Sequence, residues 1–232
     1  MLINALSGFG SGRTKASVVF NRSAVDTSDR YNDVSFHGTY TFSSIPFGAK
    51  DANRIIVVGV AMFDGRDTLV VTIGGITAIS IVADDTGTVD YKLYRTRVPT
   101  GTSGSIVVRV HHPGFAGDLN SSGCLIGCWS VYGADFSPYH TATSDARPTA
   151  TVTLNIPPDG IAIAVCTAYS DTTGLNFVWT GVQENFEIAG DRNDYFSGAC
   201  AAVPEGAVNR TISSSASLNA TVHLGVASFG PA

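Results

Sequence analysis

The side chains of this chain that could support acid–base or metal chemistry stand in short clusters at predicted turns. Asp84 and Asp85 are adjacent, and Asp191 and Asp194 enclose an arginine and an asparagine. Paired carboxylates hydrolyse glycosidic bonds, and clustered side-chain oxygens bind calcium. Aspartate also forms turns through hydrogen bonds to the nearby backbone. We therefore interpret these pairs as turn formers and keep a glycosidase pair and a calcium loop as alternatives.

Histidine and serine, the usual partners in nucleophilic catalysis, form no recognisable motif here. The best histidine cluster is His111-His112-Pro113, whose adjacent side chains point to opposite sides of an extended chain and so chelate one metal poorly. No Gly-x-Ser-x-Gly nucleophile elbow occurs. The sequence therefore predicts no catalytic residue, no metal site, no cofactor and no enzymatic activity, with a hydrolase assembled from loops as the alternative.

Four cysteines remain as possible metal ligands or disulfide partners. Cys124 and Cys128 share one strand-like run, which places their Cα atoms about 13 Å apart on the same face. A disulfide needs a Cα separation below about 7 Å, so these two cannot pair with each other. Cys166 and Cys200 also lie in strand-like runs. We interpret all four as small buried hydrophobic residues. Disulfides formed elsewhere, and a zinc site, are the alternatives.

Three aromatic residues stand outside the predicted strand interiors and are the best candidates for binding a ligand. Phe115 and Tyr139 lie in a loop and a linker, and Trp179 lies near a hairpin end. An exposed aromatic ring on a rigid scaffold can stack on the apolar C–H face of a sugar. We predict these three as ligand-binding residues, with a core or interface position as the alternative for each.

Composition excludes several classes of function. The chain has 232 residues, of which 44% are hydrophobic and 14% charged, and its formal net charge is −5. A protein that binds nucleic acid generally needs a basic surface, so nucleic acid is not an expected partner. The apolar runs are also shorter than the roughly 20 residues of a membrane-spanning helix. The N-terminal residues lack the pattern of a secretory signal, and we expect synthesis in the cytoplasm.

The elements that must position these residues are short strands. Ile55 to Phe63 is apolar throughout, as expected for a central strand that is buried on both faces. Leu69 to Ile73 runs into Gly74-Gly75, a hairpin signal. No stretch offers a capped amphipathic helix of ten or more residues. The sequence therefore predicts an all-β fold, an antiparallel β-sandwich of jelly-roll-like type.

The second half of the chain repeats the layout of the first. Residues 54–133 and 160–230 follow the same order of apolar strand, polar turn and hairpin. In this alignment Tyr91 matches Tyr195, and Val98-Pro99 matches Val203-Pro204. The fold is therefore expected to contain two similar strand units that together form one compact sandwich, with two small domains as the alternative.

The repeat divides the chain into four predicted segments. Residues 1–50 form an N-terminal arm with the first strands, and residues 51–134 form the first β unit. Residues 135–148, which contain two prolines and show no periodicity, form a linker. Residues 149–232 form the second unit. An ordinary first strand pair is the alternative to an arm.

The strand layout resembles β-sandwich proteins of tailed-bacteriophage particles. The resemblance covers about residues 45–232 and depends on the hairpin Thr72-Ile73-Gly74-Gly75, the segment Val98-Pro99-Thr100-Gly101, and the endings Val131-Tyr132-Gly133-Ala134 and Ala227-Ser228-Phe229-Gly230. Such proteins share no catalytic residues, so none are carried over to this chain.

The resemblance implies a structural component of a virion, such as a head decoration, collar, spike or fibre subunit. Its expected partners are other copies of itself and other virion proteins, with neither nucleic acid nor membrane among them. The alternative function is a carbohydrate-binding module that recognises a host surface polysaccharide. The expected location is the virion, after synthesis in the host cytoplasm.

Overall fold

A computed structural model describes residues 14–28, 37–63, 68–84, 89–111, 123–190 and 193–232. Every regular element in these ranges is a strand, and all pairings are antiparallel, which confirms the all-β prediction. In chain order the strands are β1 (Ser17–Asp26), β2 (His37–Pro46), β3 (Ile55–Phe63), β4 (Thr68–Ile73), β5 (Ile76–Thr77), β6 (Ile79–Asp84), β7 (Val89–Arg97), β8 (Ser103–His111), β9 (Cys124–Tyr132), β10 (His140–Ala146), β11 (Thr149–Ile156), β12 (Gly160–Tyr169), β13 (Phe177–Thr180), β14 (Gln183–Ala189), β15 (Asp194–Val203), β16 (Ala207–Ala216) and β17 (Val222–Phe229). Within the described ranges no helix has the length and apolar character needed to cross a membrane.

The first nine strands form a sandwich with jelly-roll connectivity. One sheet has the order β1-β9-β3-β7-β6, and the other has the order β2-β8-β4-β5. Strand β1 thus pairs with β9, β2 with β8, and β3 with β7. This nesting of early strands with late ones is the jelly-roll arrangement. The connection through β5 and β6 crosses from the smaller sheet to the larger one.

The last eight strands form a second sandwich with the same connectivity. Its larger sheet has the order β10-β17-β12-β15-β14, and its smaller sheet has the order β11-β16-β13. Strand by strand, β10 takes the place of β1, β12 that of β3, β15 that of β7 and β17 that of β9. The predicted duplication is therefore present. Each copy is a complete sandwich with two sheets of its own, so the expectation that the two units share a single sandwich is wrong.

The repeat begins earlier than the sequence indicated. Strands β1 and β2 belong to the two sheets of the first sandwich, so the described part of the predicted 1–50 segment supplies ordinary first strands. Residues 140–146 of the predicted 135–148 linker form β10, which pairs with β17 along its whole length. The connection between the sandwiches is therefore limited to residues 133–139.

One predicted match between the repeats is displaced by one residue. Tyr91 pairs with Ala61 on β3, and Phe196 pairs with Thr167 at the corresponding position of β12. Tyr91 and Phe196 both face the other sandwich, whereas Tyr195 faces the interior of its own. A shift of one residue in a strand moves a side chain to the opposite face, so Tyr91 corresponds to Phe196 and not to Tyr195.

Each sandwich has its own apolar core, and a third core joins the two. The first core lies between β3 and β9 on one side and β2, β4 and β8 on the other. The second is built in the same way from β11 to β17. The third core contains the opposite faces of the two larger sheets, with β3 and β12 buried on both faces. Its largest members include Trp129, Phe186, Phe196, Tyr91 and Phe229.

The two sandwiches meet in an approximately two-fold arrangement. The edge strand β1 of the first sandwich contacts the edge strand β14 of the second, and β6 contacts β10 in the same way. Since β10 corresponds to β1 and β14 to β6, these are equivalent contacts made twice. Such reciprocal pairing is the rule for symmetric dimers. Here it is made within one chain.

A buried arginine connects two loops of the first sandwich by hydrogen bonds. Arg54 precedes β3, is completely buried, and has no acidic partner within the described ranges. Its guanidinium donates five hydrogen bonds of 2.8–3.1 Å to the carbonyl oxygens of Val98, Gly48, Ala49, Thr100 and Gly101. A guanidinium has five N–H donors, so every donor is satisfied.

The four cysteines are free thiols in the packed interior. Cys124 and Cys128 face the first core together, as predicted, and Cys166 faces the second. Cys200 is half-buried against the core between the sandwiches. These positions agree with the interpretation of the cysteines as small hydrophobic residues.

Candidate functional site

Of the three aromatic residues predicted to bind a ligand, the two that the structure describes do not form one site. Phe115 lies outside the described residues. Tyr139 precedes β10 at one edge of the second sandwich's larger sheet, and Trp179 lies beside β15, near the opposite edge. Any role that Tyr139 and Trp179 have is therefore exercised separately.

Trp179 is anchored in the second sandwich. Its indole is half-buried against the second core, and Nε1 donates a 2.9 Å hydrogen bond to Ser197 Oγ. Ser197 Oγ in turn donates to Glu184 Oε1 at 3.0 Å. These contacts fix the indole and occupy its only donor. They fit the alternative of a core position, while ligand binding by Trp179 stays a prediction.

Tyr139 lies on the rim of a groove where the two sandwiches are joined. Its side chain is 61% exposed, and its backbone N–H bonds Ser228 O at 2.7 Å, which holds this turn against β17. The groove has a volume of about 480 Å³. We call it the junction groove and define it by Arg97, Asp135, Phe136, Pro138, Tyr139 and Gly230.

Two arginines flank the aromatic wall of the junction groove. Arg95 and Arg97 are two residues apart on β7 and therefore share a face. The guanidinium carbon of Arg95 lies 4.2 Å from the centroid of the Phe136 ring, and that of Arg97 lies 5.2 Å away. Both cations thus contact one ring in cation–π geometry. Arg97 is exposed, whereas Arg95 is 8% exposed.

Arg95 carries a buried charge that the described residues neutralise poorly. Its Nε and Nη1 atoms have no hydrogen-bond partner among the residues that the structure describes. Burial lowers the pKa of this guanidinium, because desolvation disfavours the charged form. The contact with Phe136 offsets part of that cost. The result is a positive potential behind the wall of the groove.

A second concavity lies at one end of the second sandwich. It has a volume of about 620 Å³. We call it the loop-end cleft and define it by Arg147, Tyr169, Asp171, Asn219, Thr221 and His223. These residues belong to the β10–β11, β12–β13 and β16–β17 connections or to the strand ends beside them. Antiparallel pairing brings the three connections to the same end of the sandwich.

The loop-end cleft combines an aromatic ring with planar polar groups. Tyr169 is 39% exposed. His223 Nδ1 lies 3.0 Å from Asp145 Oδ1, which fixes the imidazole at the cleft wall. Amide, carboxylate, guanidinium and imidazole groups offer both donors and acceptors. An aromatic face surrounded by such groups suits a polyhydroxylated ligand.

A pair of carboxylates that sequence reasoning missed lies beside Trp179. Strict alternation would place Glu184 and Glu187 on opposite faces of β14, but a β-bulge between Glu184 and Phe186 returns both to the interior side. Glu187 Oε2 accepts a 2.8 Å bond from the backbone N–H of Phe177. Partial burial raises the pKa of Glu187, and the charge of Glu184 adds to that rise. Both carboxylates have structural hydrogen bonds.

Most of the polar clusters found in the sequence cannot be placed relative to either concavity, because Asp85, Asp191 and His112 lie outside the described residues. Asp194 begins β15 and is buried. Within the described part of the chain, no three histidine, cysteine, aspartate or glutamate side chains are close enough to hold a metal ion.

Comparisons with protein-family models, with curated proteins and with solved structures found no match. The chain's own geometry is therefore the basis for any functional conclusion.

Proposed function

We propose that this chain is a non-enzymatic structural subunit of a bacteriophage particle and that it acts through contacts with other copies of itself and with other particle proteins. The observation that carries the proposal is the character of the two outer sheet faces. They lie on opposite sides of the molecule, because the larger sheets are buried against each other. Jelly rolls are a common architecture of viral coat proteins, and that analogy concerns the fold alone.

The outer face of the second sandwich is rich in hydroxyl groups, and the outward residues of its cross-strand pairs carry no charge. Cross-strand pairs place Thr149 beside Ser215, Thr151 beside Ser213 and Thr153 beside Thr211. On the other side of β16, Val178 pairs with Ser215, and Thr180 pairs with Ser213. Outward residues alternate with core residues along all three strands. The face therefore presents rows of short β-branched and hydroxyl side chains.

The outer face of the first sandwich has similar chemistry. Thr41, Val107 and Thr72 form one cross-strand row, and Thr39, Arg109 and Val70 form the next. Arg109 is the charged residue in these two rows. Val70 is 46% exposed on this face.

These faces suit contact with further copies of the chain. A hydroxyl both donates and accepts a hydrogen bond, so two hydroxyl-rich faces are complementary to each other. Short side chains lose little conformational entropy on burial, and the outward rows of the second sandwich have no charge to desolvate. The molecule would then assemble through these two opposite faces.

The test places a charge at the centre of one face. Thr151→Glu and Ser213→Glu should abolish self-association, measured by sedimentation velocity, and should leave the circular-dichroism spectrum unchanged. Thr172→Glu, in a loop away from both faces, is the matched control. An antibody against the chain should also label particles purified from an infected culture. A wild-type chain that stays monomeric at every concentration and is absent from particles would refute the proposal.

A second candidate function is recognition of a host surface polysaccharide, and the loop-end cleft favours it. The cleft sets Tyr169 among Arg147, Asp171, Asn219 and His223, an arrangement that suits a neutral sugar. Tyr169→Ala and His223→Ala should remove signals on an array of neutral bacterial polysaccharides, which carry no uronic acid, while Trp179→Ala, outside the cleft, keeps them. An array on which the wild-type chain binds nothing would end this candidate.

A further inference from the structure

The junction groove has a cationic side that none of the preceding proposals uses. Arg97 lines the groove and has no hydrogen bond or ion pair to any described residue; its contact is with the Phe136 ring. Behind the same ring, Arg95 is more than nine-tenths buried, and two of its guanidinium nitrogen atoms have no hydrogen-bond partner within the described ranges. The groove therefore has one positive charge on its wall, Arg97, and a second behind it, Arg95. Asp135 is the acidic residue among those that define the groove.

The opposite side of the groove has the features of a sugar platform. Tyr139 presents an exposed ring on the rim, and Pro138 adds an apolar ring next to it. The Asp135 carboxylate is exposed and accepts hydrogen bonds only, which suits hydroxyl donors. The volume of about 480 Å³ falls within the usual range of small-molecule sites, roughly 300–1,000 Å³.

We propose that the junction groove binds an acidic sugar, a uronic acid unit of an anionic polysaccharide. Arg97 pairs with the carboxylate of the ligand through the planar two-donor geometry that favours arginine at such sites. Asp135 accepts hydrogen bonds from ring hydroxyls, and Tyr139 covers the C–H face of the sugar. Arg95 does not touch the ligand; it is a positioning residue that holds Phe136 in place and adds to the positive potential.

Asp135 favours a uronate over a more highly charged anion as the ligand of the groove. A phosphate dianion beside this carboxylate would be repelled, and its three oxygens would need more donors than Arg97 supplies. A uronate has one negative charge on its carboxylate and hydroxyls elsewhere on the ring. The groove provides a partner for each of these groups.

The probe is an oligogalacturonate, compared with its methyl ester, in which the same sugar carries no charge. Calorimetric titration of the full chain should show binding of the acid and a loss of roughly ten- to a hundredfold for the ester. Arg97→Gln should cause a loss of similar size with the acid form and remove the difference between acid and ester. Tyr139→Ala should weaken both forms.

Arg147→Gln is the matched control, because it removes a cation from the loop-end cleft and leaves the junction groove intact. Arg97→Lys keeps the charge and should restore part of the binding, which separates a charge effect from misfolding. A panel of other uronic acid polysaccharides, and inorganic phosphate, completes the set.

Several outcomes would overturn the proposal. They are equal binding of acid and ester, unchanged binding in Arg97→Gln, phosphate bound as tightly as the uronate, or no binding of any member of the panel. The self-association assay and the Tyr169→Ala array test are read independently, so failure of the junction groove is distinguishable from failure of either proposed function.

Discussion

Gly225 of β17 lies directly beneath the ring of Tyr91 on β7. A Cβ atom added to Gly225 would overlap that ring, so the second sandwich contributes bare backbone where the first contributes an aromatic residue. Gly127, the corresponding residue of β9, lies in the same way against the ring of Phe186 on β14. The close fit of the two larger sheets therefore depends on a missing side chain at equivalent places in both repeats.

Gly225→Ala should destabilise the whole molecule by loosening the contact between the sandwiches. Overpacking of this kind costs about 1–3 kcal/mol, because the neighbouring ring must shift within a packed core. The free energy of unfolding, measured by urea denaturation, should fall by that amount. Thr151→Ala on an outer face is the control and should change it by less than about 0.5 kcal/mol. A Gly225→Ala protein as stable as the wild type would show that the sheets are not in tight contact here.

Arg54→Lys should be strongly destabilising although it keeps the charge. A lysine side chain carries three N–H donors on a single nitrogen atom at the end of a flexible chain. It therefore cannot hydrogen-bond to all five carbonyl oxygens in the two loops. It would leave a buried charge with too few partners, at a cost of about 3 kcal/mol or more. Thermal unfolding compared with Arg109→Lys, an exposed arginine, provides the check. Equal melting temperatures for the two variants would contradict the structural role of Arg54.

The buried thiols should react slowly in the native protein. Desolvation raises the pKa of Cys128 to about 12 and raises the pKa values of Cys124 and Cys166 well above the ordinary range. The reactive thiolate is therefore scarce at neutral pH, and burial also blocks the reagent. Half-buried Cys200, whose pKa is raised as well, should be labelled first. Mass spectrometry after timed exposure to a thiol reagent gives the order, and all four cysteines should react at once in denaturant.

Glu187 should make the protein less stable as the pH rises through the weakly acidic range. Its pKa is raised in the folded state, mainly by desolvation, so the fold favours the protonated carboxyl. The stabilisation is fully present below the unfolded pKa, about 4.3, and is lost as the pH rises through the folded value. Glu187→Gln should flatten this part of the plot of melting temperature against pH. Glu205→Gln, in the exposed turn after β15, should leave the slope as it is in the wild type, and a wild-type slope in Glu187→Gln would contradict the assignment.

The sequence predicted the central strands well and missed the polar edges. Ile55 to Phe63 and Ile161 to Cys166 are apolar because both faces of β3 and β12 are buried, and that signal is local. Strand β10 reads His-Thr-Ala-Thr-Ser-Asp-Ala and is exposed or half-exposed throughout. An edge strand with little buried surface has no apolar alternation, so the sequence pattern predicts a linker here. The edge strand β1, which is also exposed or half-exposed, gives the start of the repeat no stronger signal.

The candidate sites depend on contacts that no local pattern records. Arg97 and Tyr139 are far apart in the chain and meet because residues 133–139 cross the end of β7 on the way to the second sandwich. Glu184 and Glu187 share a face because of one β-bulge, and no sequence signal predicts that bulge. The sequence predicts Tyr139 as a ligand-binding residue outside the strands, and the structure shows that its side chain is exposed. Ligand binding by Tyr139 stays a prediction, and its cationic neighbours follow only from the fold.

Because both sandwiches belong to one polypeptide, their pairing does not depend on how dilute the protein is. Two separate copies would part at low concentration, whereas a short covalent tether keeps the local concentration of each half around the other high. A fused pair is also free to differ between its halves. Trp129 pairs with Val57, while the equivalent partner of Ile163 is Ala227, a combination that a dimer of identical subunits could not carry. The loops of one sandwich can therefore change in sequence while the loops of the other stay the same.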